Sequence, residues 1–196
     1  MENKNIILLL ITGYARSGKT TLGNSICTRL KAQGKRCYHI NFADSLKYAC
    51  DMFFEHLDLK VDLSYNVGDK LKYRDFLVTC GKLARSINST VFIEKLFNKV
   101  YNASKGEPLT YIVVSDWRYL NEYTYLKETM SNAQIITIRM NCPDVEAANV
   151  EEGLSIGEIT REIPMDHDYS FTWGWEKVIK LMGESLADKL ASYGDQ

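Results

Sequence analysis

Eight consecutive residues, Gly13-Tyr14-Ala15-Arg16-Ser17-Gly18-Lys19-Thr20, spell GxxxxGK[ST]. Gly13 and Gly18 permit backbone angles that turn successive N–H groups inward. The nest they form opens a helix, whose N-terminus favours an anion. Lys19 is then placed to bridge the β- and γ-phosphates of a nucleoside triphosphate, and the Thr20 hydroxyl to ligate Mg²⁺. Ala15, Arg16, Ser17 and Thr21 complete the stretch from Gly13 to Thr21 that would wrap the phosphates. The cofactors this loop implies are ATP and Mg²⁺.

A second run, Tyr111-Ile112-Val113-Val114-Ser115-Asp116, is an apolar strand ending in an acid, and it resembles a Walker B strand whose carboxylate faces the metal. Arg118 follows two residues later and Glu122 one helical turn after that. The two can pair, either as a surface ion pair or so as to aim the guanidinium fork at a phosphate. Trp117, like Tyr14, Phe42, Tyr48 and Tyr73, is a candidate aromatic face for a base. In Asn41-Phe42-Ala43-Asp44-Ser45-Leu46-Lys47, Asp44 and Lys47 share a helix face. Lys47 would meet an acceptor's phosphate, and Asp44 would take a hydroxyl or cap the helix. Arg74 and Arg85 flank a helix that would line the acceptor pocket. Arg139 ends a strand, where it would stack on a base, and Arg161 would close over the transferring group. Lys19, Asp116, Arg118 and Arg161 are the expected catalytic set. His39, His56 and His167 share no ligand spacing. The 5 cysteines show no metal pattern, so they are expected to be small core residues of a reducing compartment.

The elements that must position these groups alternate. Strands are expected at Ile6–Thr12, Cys37–Phe42, Tyr111–Ser115, Ile135–Met140 and Tyr169–Trp173. Helices are expected at Thr20–Gln33, Asp44–Phe54 and Leu120–Met130, through Arg74–Val100 by the spacing of its apolar residues, and along the C-terminal stretch from Trp175. Such alternation predicts an α/β fold with a mostly parallel sheet covered on both faces. Ligands then bind beyond the carboxyl ends of the strands, where all the motifs fall. Glu55–Tyr73 and Asn141–Asp168 are polar and irregular in pattern. They are expected to be an acceptor-side insertion and a mobile lid within a single domain of 196 residues.

Composition narrows the classes. The chain is 45% apolar and 25% charged with a formal net charge of -1, which suits a globular domain and not a disordered chain or a general nucleic-acid binder. The apolar run from Ile6 to Ile11 is too short to span a bilayer. A cytoplasmic protein acting on a small molecule, without nucleic-acid or membrane partners, is expected, with a homodimer left open. The lack of an NKxD or TKxD segment counts against a GTPase switch.

GYARSGKTT, FADSLK and SDWRYLNE, in this order and spacing, resemble the deoxynucleoside monophosphate kinases of large DNA phages and viruses. The similarity also takes in CGKLAR, TIRMNCP and EITREIPMD. Phosphomevalonate kinases are similar in the same places, within the broader nucleoside-monophosphate-kinase-like fold. The resemblance implies a P-loop three-layer sandwich with a five-stranded parallel sheet, two flanking mobile regions, Mg²⁺-ATP as donor and a nucleoside monophosphate as acceptor. It carries Lys19 and Thr20 to the donor phosphates and Mg²⁺, Asp116 to the metal shell, Asp44, Lys47, Arg85 and Arg118 to the acceptor, and Arg161 to a lid. The chain departs from the pattern at Thr20, where those families often have Asp, and in a shorter segment at 55–73. Another phosphorylated small molecule as acceptor, or a non-catalytic nucleotide-binding role, stays open.

Overall fold

The computed structural model describes residues 5–172 and 175–193, and of Tyr193 only the backbone. Five strands form one sheet in the order β2-β3-β1-β4-β5. They are β1 (Ile6–Thr12), β2 (Cys37–His39), β3 (Thr110–Val114), β4 (Ala133–Asn141) and β5 (His167–Ser170). Every pairing is parallel. Helices α1 (Lys19–Ala32), α2 (Asp44–His56), α3 (Val67–Lys72), α4 (Arg74–Ile87), α5 (Val91–Ser104), α6 (Leu120–Thr129), α7 (Val150–Glu162) and α8 (Glu176–Tyr193) complete the chain. The fold is α/β, as the alternation predicts. No helix among the described residues is long and apolar enough to cross a membrane.

The centre of the sheet is dry because β1 is apolar along both faces: all seven of its residues are buried. Ile7, Leu9 and Ile11 join Leu22, Ile26 and Leu30 of α1 and Leu186 and Leu190 of α8 in one cluster. α1 and α8 pack closely, with the Ser25 hydroxyl donating to the Lys180 carbonyl at 2.6 Å. A side chain at Gly183 would bring its Cβ within 2.8 Å of Ser25 Cβ, so the close crossing depends on glycine there. β1 sits between β3 and β4, which places the loop after it at the centre of the strands' carboxyl edge.

The chain divides into two compact units, residues up to Asn41 with those from Lys99 on, and residues Phe42–Asn98. The second unit has its own core of Cys50, Phe54, Leu63 and Leu77, with Phe54 and Phe76 ring centroids 5.1 Å apart.

Several expected boundaries move. β2 ends at His39 rather than Phe42, because the Asn41 side chain takes the Ser115 N–H at 2.9 Å in place of a ladder bond. The predicted helix over Arg74–Val100 is two helices. Asn88 Oδ1 accepts from the Thr90 N–H at 2.9 Å and its hydroxyl at 2.8 Å, and this local turn displaces the helical ladder. Glu55–Tyr73 is irregular only in part. It holds the end of α2, the short helix α3 capped by Asn66, and Leu63, whose N–H is taken by Asp51 Oδ1 at 2.6 Å. Asn141–Asp168 contains the 13-residue helix α7, with Ile156 and Ile159 buried. β5 starts at His167, ahead of the expected Tyr169; Trp173, the expected end, lies outside the described residues.

The cysteines also need correcting. Cys27 and Cys37 form a disulfide across the turn between α1 and β2, their Cα atoms 5.5 Å apart, while Cys50, Cys80 and Cys142 are free thiols. Scattered spacing concealed the pair because the α1–β2 turn, and not a sequence motif, brings them together.

Candidate active site

The loop after β1 has the geometry of an anion cradle. Gly13 has φ 139°, Arg16 φ 70° and Gly18 φ 86°. A Cβ at Gly13 would lie 2.2 Å from the Met140 carbonyl oxygen of β4, so only glycine fits there. Gly18 is the N-cap of α1, no side chain caps that helix, and its first turn holds no acid. Its leading N–H groups are thus left to an incoming anion. Ser17 is buried, Ala15 and Thr21 are half-buried, and Arg16 and Thr20 are exposed.

Lys19 is buried and folds back over the loop, its Nζ donating to the Gly13 carbonyl at 2.6 Å, to the Tyr14 carbonyl at 2.5 Å and to Ser17 Oγ at 3.5 Å. Burial, and after it the positive charge of Arg118, lowers its pKa from 10.5 to about 8, while Glu152 and Asp116 act in the opposite direction. Asp116, Arg118 and Glu152 therefore sit within electrostatic range of Lys19 beside the loop.

Asp116, half-buried, follows β3 as expected of a Walker B acid. A hydroxyl at Thr20 and a carboxylate at Asp116 are the hard oxygen donors that suit Mg²⁺. Among the described residues no group of three or more His, Cys, Asp or Glu could enclose a metal, so the ion would lean on water and on phosphate oxygens. The donor set fits the ion on these terms.

Around Arg118 one expectation changes and two contacts are new. Glu122 bonds the backbone of Arg118 as well as lying one turn from its side chain. Its Oε2 accepts from the backbone N–H groups of Arg118 at 2.9 Å and Tyr119 at 3.1 Å, capping α6, and it is buried in that role. The Arg118 guanidinium also faces a carboxylate the sequence did not point to, Glu152 of α7, Nη1 to Oε1 3.5 Å. Trp117 is fully buried, its ring stacked on Tyr123 and its indole N–H donated to the Tyr119 carbonyl at 3.0 Å. It offers no exposed face to a base.

The other predicted residues are placed as follows. Arg139 lies on β4 and pairs with its register partner Asp168 on β5 at 3.4 Å. Arg161, in the last turn of α7, is exposed and pairs with its neighbour Glu162 at 2.9 Å. In the second unit, Lys47 Nζ donates to Asp44 Oδ1 at 3.0 Å within the first turn of α2, and Ala43, not Asp44, is the N-cap. Arg74 opens α4. Near its other end Arg85 lies over the Phe92 ring at 4.8 Å, and Gly81 leaves space for the Arg85 guanidinium, since a Cβ there would be 3.4 Å from Nη1.

Two groups escape a motif search. His39 bridges Asn24 Oδ1 at 2.7 Å and Ser115 Oγ at 2.8 Å, fixing the residue before Asp116, and Gly23 makes room for its ring. Glu152 is the other. Its signal was the pattern Asn149-x-x-Glu152, a capping-box spacing that marks the start of α7.

No protein-family model matches the sequence, and no curated protein does. Solved structures do. The APS kinase CysC of Mycobacterium tuberculosis is similar over 95% of this chain and 99% of its own, at 12% identity and a TM-score of 0.53. Its complex with AMPPNP and APS matches at 14% identity and a TM-score of 0.52, and a candidate kinase from Chloroflexus aurantiacus at 16% and 0.50. The chain shares the fold of these structures. Its five-stranded parallel sheet and flanking helices are those the sequence implied.

Proposed function

We propose that the chain is an ATP-dependent kinase that transfers the γ-phosphoryl group to a (deoxy)nucleoside monophosphate, giving the diphosphate. The observation that carries this reading is the pairing of cations at the carboxyl ends of β1 and β3. Lys19 lies in a loop shaped for one polyphosphate, and Arg118, a second cation, is held next to it. Two phosphorylated partners repel each other, and phosphoryl transfer is mostly a matter of aligning them and offsetting charge.

On this reading the loop N–H groups and Lys19 bind the donor phosphates. Arg118 grips the acceptor phosphate, and Thr20 and Asp116 hold Mg²⁺, which supplies charge neutralisation between donor oxygens. Arg139 near the donor, Asp44, Lys47, Arg74 and Arg85 on the acceptor side, and Arg161 in the lid remain parts of the proposal. The burial of Trp117 removes one aromatic face for a base and favours, as a second reading, a phosphorylated acceptor without one.

The test is a turnover screen of the eight common nucleoside monophosphates and phosphomevalonate with ATP and Mg²⁺. Diphosphate formation from one or more of the eight supports the first reading, and turnover of phosphomevalonate alone the second. No transfer to any of them sinks both.

A further inference from the structure

Glu152 is a carboxylate taken out of water next to the phosphate-binding cations. Its side chain is 2% exposed. Oε2 accepts from the Ala148 N–H at 2.7 Å, which holds the carboxylate, while the Glu152 backbone N–H separately donates to Asn149 Oδ1 at 2.8 Å and caps α7. Oε1 is buried and receives no hydrogen bond among the described residues; the Arg118 guanidinium stands opposite at 3.5 Å. Breaking a buried ion pair by removing one partner is costly, because it leaves a buried charge uncompensated. Lys19 turns its ammonium to its own loop carbonyls, which leaves Arg118 as the partner of Oε1. Arg118 is 41% exposed, and a guanidinium carries five N–H donors, so the pair with Oε1 does not exhaust it. Tyr119, the next residue, donates its hydroxyl to Glu151 at 3.0 Å, which joins the same two segments a second time.

We propose that Glu152 is a positioning residue. It is a rigid anion on α7 that orients the Arg118 guanidinium, so that an acceptor phosphate meets a fork already aimed and not a free side chain. This rests on the reading of Arg118 as the acceptor-phosphate ligand. Holding a long side chain before binding removes the entropy cost of ordering it on binding. The link also ties the position of α7 to occupancy of the phosphate site.

The experiment compares Glu152→Gln, Arg118→Ala, the double variant and Asn149→Ala in the full chain, at pH 7. The acceptor is the nucleoside monophosphate of highest turnover among the eight, and AMPPNP binding is measured by calorimetry. Gln keeps an oxygen for the Ala148 N–H and removes the charge. We expect Glu152→Gln to lower kcat/KM for the acceptor at least tenfold, to change AMPPNP affinity less than twofold, and to cost less than twofold more when Arg118 is already Ala. Asn149→Ala weakens the cap and leaves the charge pair, and should keep wild-type acceptor kinetics at a temperature where it is folded. Wild-type kinetics in Glu152→Gln, an additive loss on top of Arg118→Ala, or an equal loss in Asn149→Ala would each overturn the proposal. If Arg118→Ala itself transfers normally, or no monophosphate is turned over, the reading of Arg118 fails first and this inference with it.

Discussion

At the scale of single residues the strongest expectation concerns Lys19. Its ammonium bonds to carbonyls of its own loop, so its removal leaves the sheet's apolar core untouched and takes away the cation that should meet the donor phosphates. Lys19→Ala should lower turnover at least ~10²-fold while the protein stays folded, as loss of one preorganised charge does; near-normal steady-state rates in a folded variant would refute the kinase reading. The same residue gives a pH dependence. Its pKa of about 8 lies below the ordinary 10.5, mainly through burial and next through Arg118. Between about pH 8 and 10.5 the unfolded chain therefore binds the extra proton, and this group makes the free protein more stable as pH rises through that window. A bound polyphosphate favours the charged form, so AMPPNP binding must take up a proton there, and its affinity should fall as pH climbs above 8. Calorimetry in buffers of different ionisation heat reads both effects, and an affinity flat from pH 7 to 9.5 would contradict them. Arg118 gives a third test. A lysine keeps the charge but not the planar fork, so Arg118→Lys should lose kcat/KM for the acceptor at least tenfold, nearly as much as Arg118→Ala, with AMPPNP affinity unchanged. A fully active lysine variant would show that charge alone suffices.

At the scale of elements, the sequence revealed what periodicity and punctuation encode. The apolar run before the loop gave β1, the GxxxxGK[ST] pattern gave the strand-loop-helix unit, and Gly34 marked the end of α1. Side chains that take backbone bonds were harder to see. Asn41 ended β2, Asn88 divided a helix, Glu122 capped α6, and α7 was hidden because its buried face includes a glutamate. In each case a polar group replaces a regular backbone partner, and hydrophobic spacing carries no record of that. The α1–α8 contact was equally silent, since it depends on Gly183 meeting Ser25 across 158 residues of chain. A branched side chain there has nowhere to go: the added Cβ already stands 2.8 Å from Ser25 Cβ and 3.1 Å from the Leu22 carbonyl oxygen. Gly183→Val should therefore push α8 off α1 and cost about 1–3 kcal/mol, as overpacking does. Urea unfolding measures it, and a variant as stable as wild type would show that the two helices separate freely.

At the scale of the whole molecule, a ligand site and a fold stability are one equilibrium seen from two sides. The loop residues Gly13 to Thr21, Asp116, Arg118 and Glu152 all belong to the unit made of residues up to Asn41 and from Lys99 on, which also holds the sheet. A nucleotide that binds this loop only when it is folded must stabilise that unit. At a free concentration one hundred times its dissociation constant the gain is about 2.7 kcal/mol. A domain of this size shifts its melting temperature by about 2–4 °C per kcal/mol, so Mg²⁺ with AMPPNP should raise the transition of this unit by about 5–11 °C. Thr20 and Asp116 make the metal part of the same site, so EDTA should remove much of the shift although AMPPNP is still present. Lys19→Ala should remove it as well, with little change in the melting temperature of the free protein. Calorimetry of wild type and variant, each with AMPPNP, Mg²⁺ and EDTA in turn, separates the possibilities. A shift that survives both EDTA and Lys19→Ala would place nucleotide binding away from the loop after β1, and no shift at saturating AMPPNP would leave that loop without the ligand its geometry was read to hold.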